Sequence, residues 1–414
     1  MIRTHILECH RDRVESDALN RASGERYAQV LIFHWRTYRH TGHWLSSTGA
    51  ERWNDRVNAG RPTILQAHSI DAAQQGFPKA CTTARECRKA GLETCYPYKR
   101  KTYRTTIWKQ SGIRVKGHTL LLARARGLLP IRIAVPDTIR DALRILEVRL
   151  VYDKAKRRYC WHVVLENGKQ PKDAPGTNVM AVDLGEIHPA AMSDGQTNVV
   201  ITCRELRSKR QYTQKRLAAL RSRQSKCKQG SRLWKRIQKR ISRFLAQQER
   251  RTRDLEHKIS RAVVNVADSQ KAGTIAIGDV RDAADRVKLG KQANQKISNW
   301  SHGKLRQYIT YKAAAEGITT ELVDEHDTSR TCPACGCRHK PHGRIYSCGQ
   351  CGFRGHRDVV GAVNILSRYQ HGEPGQIRPA DSMMYRIPFN KRVLRSPLDT
   401  GHVACGQPQE AAPL

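Results

Sequence analysis

The sequence predicts a multidomain α+β protein: an N-terminal lobe of helices followed by a small β-barrel or sandwich, then an α/β domain interrupted by basic helices and carrying a four-cysteine ribbon. Three observations carry that expectation. Period-two apolar alternation is concentrated between residues 102 and 167. Short apolar strands alternate with helical stretches after residue 178. Two Cys-x-x-Cys pairs stand close together late in the chain. At 414 residues there is material for two to four domains.

Residues 24–76 read as helical, because Tyr27, Val30, Leu31, His34 and Trp35 return to one face. Cys81, Cys87 and Cys95 follow at spacings that match no common zinc pattern, so they are expected as core or accessory thiols and not as a metal site. Residues 1–100 are therefore expected to be mostly helical. From 101 to 170 the chain turns strand-rich. Leu146, Val148, Leu150 and Tyr152 alternate with polar neighbours, as do Tyr159, Trp161, Val163 and Leu165. The polar stretch 153–158 between them makes this pair a hairpin with one buried face. A proline–glycine linker at 169–177 marks a boundary.

Beyond it, residues 179–184 and 199–203 are expected as strands and 204–261 as long helices broken at Gly230 and Ser231. Ile237, Ile241, Phe244 and Leu245, then Leu255, Ile259 and Val263, keep one packing stripe. Residues 204–261 hold 21 Lys or Arg and 4 acids, too one-sided for salt-bridge lacing. This face is expected to contact phosphates, with Lys235, Arg236, Lys239 and Arg240 at its centre. A strand at 274–280, a helix at 304–316, a strand at 319–324, the cysteine-bearing segment 326–355 and a helix at 359–369 complete the domain. Residues 371–414, rich in Pro, Gly and mixed charge, read as a disordered tail.

The formal net charge of +38 and a pI near 10.2 point to a polyanionic partner, since a compact chain repels itself until nucleic acid neutralises it. No apolar run reaches membrane-spanning length, and the one at 120–122 is broken by Arg124 and Arg126. The first 14 residues lack an apolar h-region, so no secretory signal is expected and the thirteen cysteines read as metal ligands or buried thiols. Neither a Walker phosphate loop nor a His-Glu-x-x-His motif occurs, which excludes nucleotide-driven motors and zincin proteases.

Cys332-Pro-Ala-Cys335 and Cys348-Gly-Gln-Cys351 are separated by twelve residues. Two such knuckles close a tetrahedral zinc site with no position left for water, so the zinc is expected to be structural. Gly336 and Gly352 stand where each knuckle turns with positive φ. Cys337, His339 and His342 are nearby, yet none completes a better pattern. Arg330, Arg338, Lys340, Arg344 and Arg354 make the segment a candidate nucleic-acid contact.

Acids stand at the edges of three apolar segments. Asp183 ends the first strand, Asp279 the strand at 274–280, and Asp358 opens the last helix, where it either caps the helix or faces a metal. Cleavage by two metal ions needs carboxylates converging from different elements, Mg²⁺ favours oxygen ligands, and strand-end acids with one on a late helix fit an RNase H-like sheet.

The order Asp183-Leu-Gly, a strand ending Gly278-Asp279, Thr328-Ser-Arg-Thr-Cys332, the two knuckles, and Arg357-Asp358 with Ala362-Val-Asn364-Ile resembles TnpB, the transposon-associated RNA-guided nucleases related to compact type V CRISPR effectors. The match spans residues 179–366, and the first half resembles the family's recognition and wedge domains in length and order only. The resemblance implies a RuvC-like nuclease domain over 176–325 and 356–370, a zinc ribbon over 326–355, a guide RNA, a double-stranded DNA target, structural Zn²⁺ and catalytic Mg²⁺. It implies no membrane and no nucleotide cofactor, and a prokaryotic cytoplasmic protein associated with the nucleoid when bound to DNA. One departure matters: the family's second acid usually stands at Gly278. Asp279 points to the opposite face of the strand. Glu325, at the end of the neighbouring strand, is the expected substitute, giving Asp183, Glu325 and Asp358 as the catalytic set. A nuclease-inactive RNA-guided repressor and an unguided zinc-ribbon binder are the alternatives.

Overall fold

Alternation in the first half becomes two antiparallel sheets. The structure is a computed structural model that describes residues 1–154, 156–279, 300, 302–339, 343–380 and 382–386, the last five for their backbone alone. The chain divides into two compact units between Lys169 and Gln170.

In the first unit, β1 (Ile2–Glu8) precedes four helices, α1 (Arg13–Thr41), α2 (Ser47–Val57), α3 (Ala67–Gln74) and α4 (Gly76–Lys89). Then come β2 (Thr106–Lys109), β3 (Ile113–Lys116), β4 (Thr119–Leu122), β5 (Ile131–Ala134), a short helix α5 (Asp137–Arg140), and the hairpin β6 (Arg144–Asp153) and β7 (Arg158–Glu166). One sheet runs β1-β7-β6-β2, the other β3-β4-β5. Trp108, Leu122, Ile133, Val148, Leu150, Trp161, Val163 and Leu165 share one core. Leu146, expected on the buried face, is half-buried instead. A bulge between Ile145 and Glu147 shifts the pleat and sends Ile145 inward. Residues 1–100 are mostly helical, and the one strand among them, β1, pairs antiparallel with β7.

The helical face is as spaced: Tyr27, Val30, Leu31 and His34 are buried, with Tyr27, Val30 and Leu31 packing against Phe77 and Cys81. Cys81 is buried, Cys87 half-buried and Cys95 exposed, and among the described residues they form no metal-holding group.

In the second unit, β8 (Asn178–Asp183), β9 (Ala190–Ser193) and β10 (Asn198–Thr202) lead to the basic helices α6 (Arg204–Ser225) and α7 (Arg232–Ser269). Next are β11 (Ala272–Asp279), α8 (His302–Ala315), β12 (Thr319–Asp324), the small hairpin β13 (Ile345–Ser347) and β14 (Arg354–His356), α9 (Arg357–His371) and β15 (Ser382–Arg386). The strand expected at 274–280 ends at Asp279, and Val280 lies outside the described residues. Six strands form one mixed sheet in the order β12-β11-β8-β9-β10-β15. β8, β11 and β12 run parallel, and β9 runs antiparallel to both its neighbours.

Strand periodicity sorts the side chains of this sheet. Met180, Val182, Ile275 and Ile277 face Leu255, Ile259 and Val263 of α7 and Ile309 of α8. Ala181, Ala276 and Val323 face the other way, toward Ile365 and Leu366 of α9. The first half of the α7 stripe, Ile237, Ile241, Phe244 and Leu245, packs on Leu217 and Leu220 of α6. Ser231 caps α7 by accepting from the Trp234 amide at 3.2 Å, just after Gly230 turns with φ 82°. No helix among the described residues is long and apolar enough to cross a membrane.

The expected disordered tail is corrected over its first part. Ser367 Oγ donates to the Glu373 carbonyl at 2.6 Å, Asn198 donates to the Ala380 carbonyl at 2.8 Å, and β15 pairs parallel with β10. The open edge of β10 supplies the backbone partners that make this order favourable. Residues 381 and 387–414 lie outside the described residues.

Candidate active site

Asp183 sits at the C-terminal end of β8 and shares strand parity with Ala181, so its side chain belongs to the α9 face of the sheet. It is accommodated by a missing side chain. A Cβ placed on Gly361 of α9 would lie 2.3 Å from Asp183 Oδ2. Burial pushes the Asp183 carboxyl up to about 7, with the neighbouring Asp358 charge adding to the effect and Arg357 opposing it.

Glu325 follows the last residue of β12, whose Val323 is paired with Gly278 of β11. Its carboxylate folds back over that glycine: a Cβ on Gly278 would stand 1.9 Å from Glu325 Oε1. The space that a second acid at 278 would use is filled by the acid at 325. Glu325 Oε1 is buried and has no hydrogen-bond partner among the described residues. Burial, reinforced by Asp183, Asp279 and Asp324, pushes its carboxyl up to about 9. Asp279 lies on the alternate strand parity, with Arg306 Nη1 3.6 Å away.

Asp358 is in the first turn of α9, while the cap position belongs to His356, so the capping alternative for Asp358 does not hold. His188, from the segment joining β8 to β9, has Nε2 4.0 Å from Asp358 Oδ2. His188, His356 and Asp358 together form a group whose ligand atoms lie within 4.8 Å of one another. Burial lowers both imidazoles, His188 to about 4, so each is neutral near pH 7. The two histidines were not singled out from the sequence. The signal was there, since both flank the acids in sequence, but only the fold shows that residues 188 and 356 meet.

A buried carboxylate with an unpartnered oxygen, beside a second carboxylate it repels, is a donor set that a divalent cation would satisfy. Asp183 feels the charge of Asp358, and Glu325 that of Asp183, but among the described residues the three carboxylates do not form one group with all ligand atoms within 4.8 Å.

The four ribbon thiols also converge, with Cys332, Cys335, Cys348 and Cys351 within 4.8 Å of one another. The Sγ separations are 3.6 Å for Cys332–Cys351 and 3.7 Å for Cys335–Cys348. A tetrahedron with Zn–S bonds of about 2.3 Å has edges of roughly 3.8 Å, so these spacings fit. Cys337 lies 3.1 Å from Cys348 and 3.3 Å from Cys335, closer than a tetrahedral edge of roughly 3.8 Å, and with His339 and Cys348 it forms a second group of ligand atoms within 4.8 Å. Backbone amides of the second knuckle, Cys351 first, pull the Cys348 thiol down to about 5. Gly336 and Gly352 take φ of 70° and 73°. His339 instead sits 2.9 Å from the Ser347 carbonyl, and Lys340 and His342 lie outside the described residues.

The ribbon is coupled to α9. Val360 packs with Tyr346, Cys332 and Cys348. Asn364 Nδ2 donates to the Thr328 and Thr331 carbonyls at 2.7 and 2.8 Å, while its Oδ1 accepts from the Gly375 amide at 2.9 Å. Lys235, Arg236, Lys239 and Arg240 are all exposed, and none is paired with a carboxylate among the described residues. Arg330 is exposed as well and lies 3.5 Å from Asp327.

Residues 162–284 match the family described as a probable transposase, OrfB_IS605, and residues 302–365 match the Cas12f1-like TNB domain. A TnpB-like protein of Methanocaldococcus jannaschii is 30% identical over 148 residues, covering 35% of this chain and 52% of that one. The CRISPR-associated endodeoxyribonuclease Cas12f1 of Sulfoacidibacillus thermotolerans is 27% identical over 226 residues, covering 52% of each. The chain thus spans about half the length of these curated relatives. In fold, it is similar to the Cas12f1 chain of a Cas12f1–sgRNA–target DNA complex, with a TM-score of 0.57 at 15% identity over 86% of this chain and 83% of that one.

Proposed function

We propose, from the premise that this chain belongs to the TnpB-like family, that it is an RNA-guided, Mg²⁺-dependent DNA endonuclease whose cutting site is Asp183, Glu325 and Asp358. The carrying observation is the seating of Glu325 Oε1, buried and without a hydrogen-bond partner among the described residues, in the space over Gly278. A family acid missing at 278 is thereby replaced in space, which favours a nuclease over an inactive repressor. The strand order β10-β9-β8-β11-β12, with β9 antiparallel to its neighbours, supports the RNase H-like, RuvC-like reading of the domain.

Divalent ions at such a site would polarise the scissile phosphate and activate a water. Asp183 and Glu325 would hold them from two strand ends, each in a position fixed by a glycine. Asp358 would add the charge of a rigid helix start. The four-cysteine ribbon would hold structural Zn²⁺, with no open coordination position for chemistry.

The test uses the purified full chain with its copurifying RNA and a DNA duplex matched to that RNA. Cutting is expected with Mg²⁺, not with EDTA or a mismatched duplex, and Asp183→Ala should abolish it while target binding persists. Target binding without cutting in the parent, with either Mg²⁺ or Mn²⁺, would establish the repressor reading instead. Binding that ignores the RNA would leave only an unguided binder.

The exposed cations of α7 are proposed to follow the nucleic-acid backbone. Each phosphate neutralised contributes roughly −0.7 to −0.9 to the slope of log affinity against log salt. Replacing Lys235, Arg236, Lys239 and Arg240 by Gln should flatten that slope and leave target preference unchanged. A salt titration with an unaltered slope would show this face to be merely solvated.

A further inference from the structure

We infer that His188 and His356 join Asp358 in holding a divalent transition ion, so that one metal position at this site is a mixed nitrogen–oxygen site that prefers Mn²⁺ to Mg²⁺. The inference deepens the proposed nuclease reading and rests on it only for the role of Asp358.

The geometry has three parts. The ligand atoms of His188, His356 and Asp358 all lie within 4.8 Å of one another, and the two imidazole rings have centroids 5.2 Å apart. His188 Nε2 and Asp358 Oδ2 are 4.0 Å apart. Metal bonds of about 2.1 Å at the right angle of octahedral coordination require a separation of roughly 3.0 Å, so the two need to close by about one ångström. Second, Nδ1 of His188 and Nδ1 of His356 are both buried without a hydrogen-bond partner among the described residues. The free Nδ1 of His356 is a donor an ion could use, whereas His188 faces Asp358 with Nε2, so its Nδ1 is not the ligand. Third, the backbones of both are placed by the fold: His356 is the cap residue of α9, and the His188 carbonyl lies 2.6 Å from where a Cβ on Gly185 would stand.

Imidazole is a poor donor for Mg²⁺, which keeps oxygen ligands and waters, and a good one for the borderline transition ions. Arg344 acts against the ion. Its Nη1 lies 3.1 Å from His188 Nε2, where it engages the ring and adds a positive charge. Removing that guanidinium should therefore tighten binding, the opposite of what loss of a supporting residue would do.

The experiment is Mn²⁺ titration of the full chain, stripped of RNA and with its cysteine site saturated with zinc, followed by electron paramagnetic resonance. Thiolates prefer softer ions, so Mn²⁺ leaves the ribbon alone. The expected results are one bound Mn²⁺ with imidazole ¹⁴N coupling in pulsed spectra, at least tenfold competition advantage over Mg²⁺, and a loss of affinity of roughly tenfold or more in H188Q/H356Q. Arg344→Gln should retain the ¹⁴N coupling and bind more tightly. Bound Mn²⁺ without ¹⁴N coupling in the parent overturns the inference, and needs no variant to fold. A parent that cuts guided DNA yet shows no nitrogen coupling removes this inference and leaves the nuclease reading. Nitrogen-coupled Mn²⁺ in a chain that never cuts does the reverse.

Discussion

Glu325→Gln is expected to slow guided cleavage by roughly 10²–10³-fold, equivalent to about 3–4 kcal/mol of lost transition-state stabilisation, while making the protein more stable in EDTA. The two effects have one cause. Glu325 is a half-buried acid whose buried Oε1 has no hydrogen-bond partner among the described residues and which feels the charges of Asp183, Asp279 and Asp324. Only a cation makes its charged form favourable there. The sign follows from the carboxyl being raised to about 9 in the folded chain from 4.5. Between those values the unfolded chain has shed a proton that the folded chain keeps, so stability falls as pH rises across that window. The loss is on the order of a few kcal/mol, because a neighbouring acid shares the effect. Gln cannot titrate, so denaturation in EDTA at pH 6 and pH 8 should show a flatter dependence for the variant. Mg²⁺ should restore the parent's stability at pH 8 more than at pH 6. If Glu325→Gln cuts like the parent, or is less stable in EDTA at pH 8, the carboxylate has been assigned the wrong task. Glu at 278 offers a geometric control, since its Cβ would displace the Glu325 carboxylate from 1.9 Å. Gly278→Glu with Glu325→Gln should recover part of the cutting that Glu325→Gln loses.

The parts of this fold that local rules dictate were legible. Paired knuckles need only their spacing, and the thiols of Cys332, Cys335, Cys348 and Cys351 meet as that spacing implies. The β6–β7 hairpin needs only alternation and a turn. What failed was non-local. The bulge that turned Ile145 inward in place of Leu146 depends on cross-strand register, which alternation within one strand does not contain. β1 and β15 owe their order to the edges of β7 and β10, so their own composition says little. At the site, the approach of Glu325 to Gly278 was readable because β11 and β12 are neighbouring strands. Gly361 was not, since its value lies in the room it leaves for Asp183, 178 positions earlier in the chain. His188 and His356 escaped notice for the same reason.

Replacing Cys348 by Ser should release the ribbon's zinc and remove cleavage together, whereas Cys337→Ser should do neither. Zinc held by four thiolates contributes on the order of 10 kcal/mol or more to the folding of such a module, far beyond what three β13–β14 pairs could supply. The loss would not stay local. Cys348 packs in one core with Tyr346 and with Val360 of α9. Asn364 ties the same helix to the carbonyls of Thr328 and Thr331, just before the first knuckle. Loosening the ribbon therefore frees the start of α9, where Asp358 is carried, and breaks bonds to three backbone groups that cost about 1–3 kcal/mol each when left unsatisfied. Cys337 is the discriminating control because it lies nearer Cys348, at 3.1 Å, than Cys335 does at 3.7 Å. Proximity alone would choose Cys337; a tetrahedral edge of roughly 3.8 Å chooses Cys335. Metal analysis of the parent should give one zinc per chain, and X-ray absorption should show four sulfurs at about 2.3 Å. Zinc retained in Cys348→Ser, or lost in Cys337→Ser, would reassign the ligand set. Zinc lost in Cys348→Ser with cleavage intact would instead sever the ribbon from the cutting site.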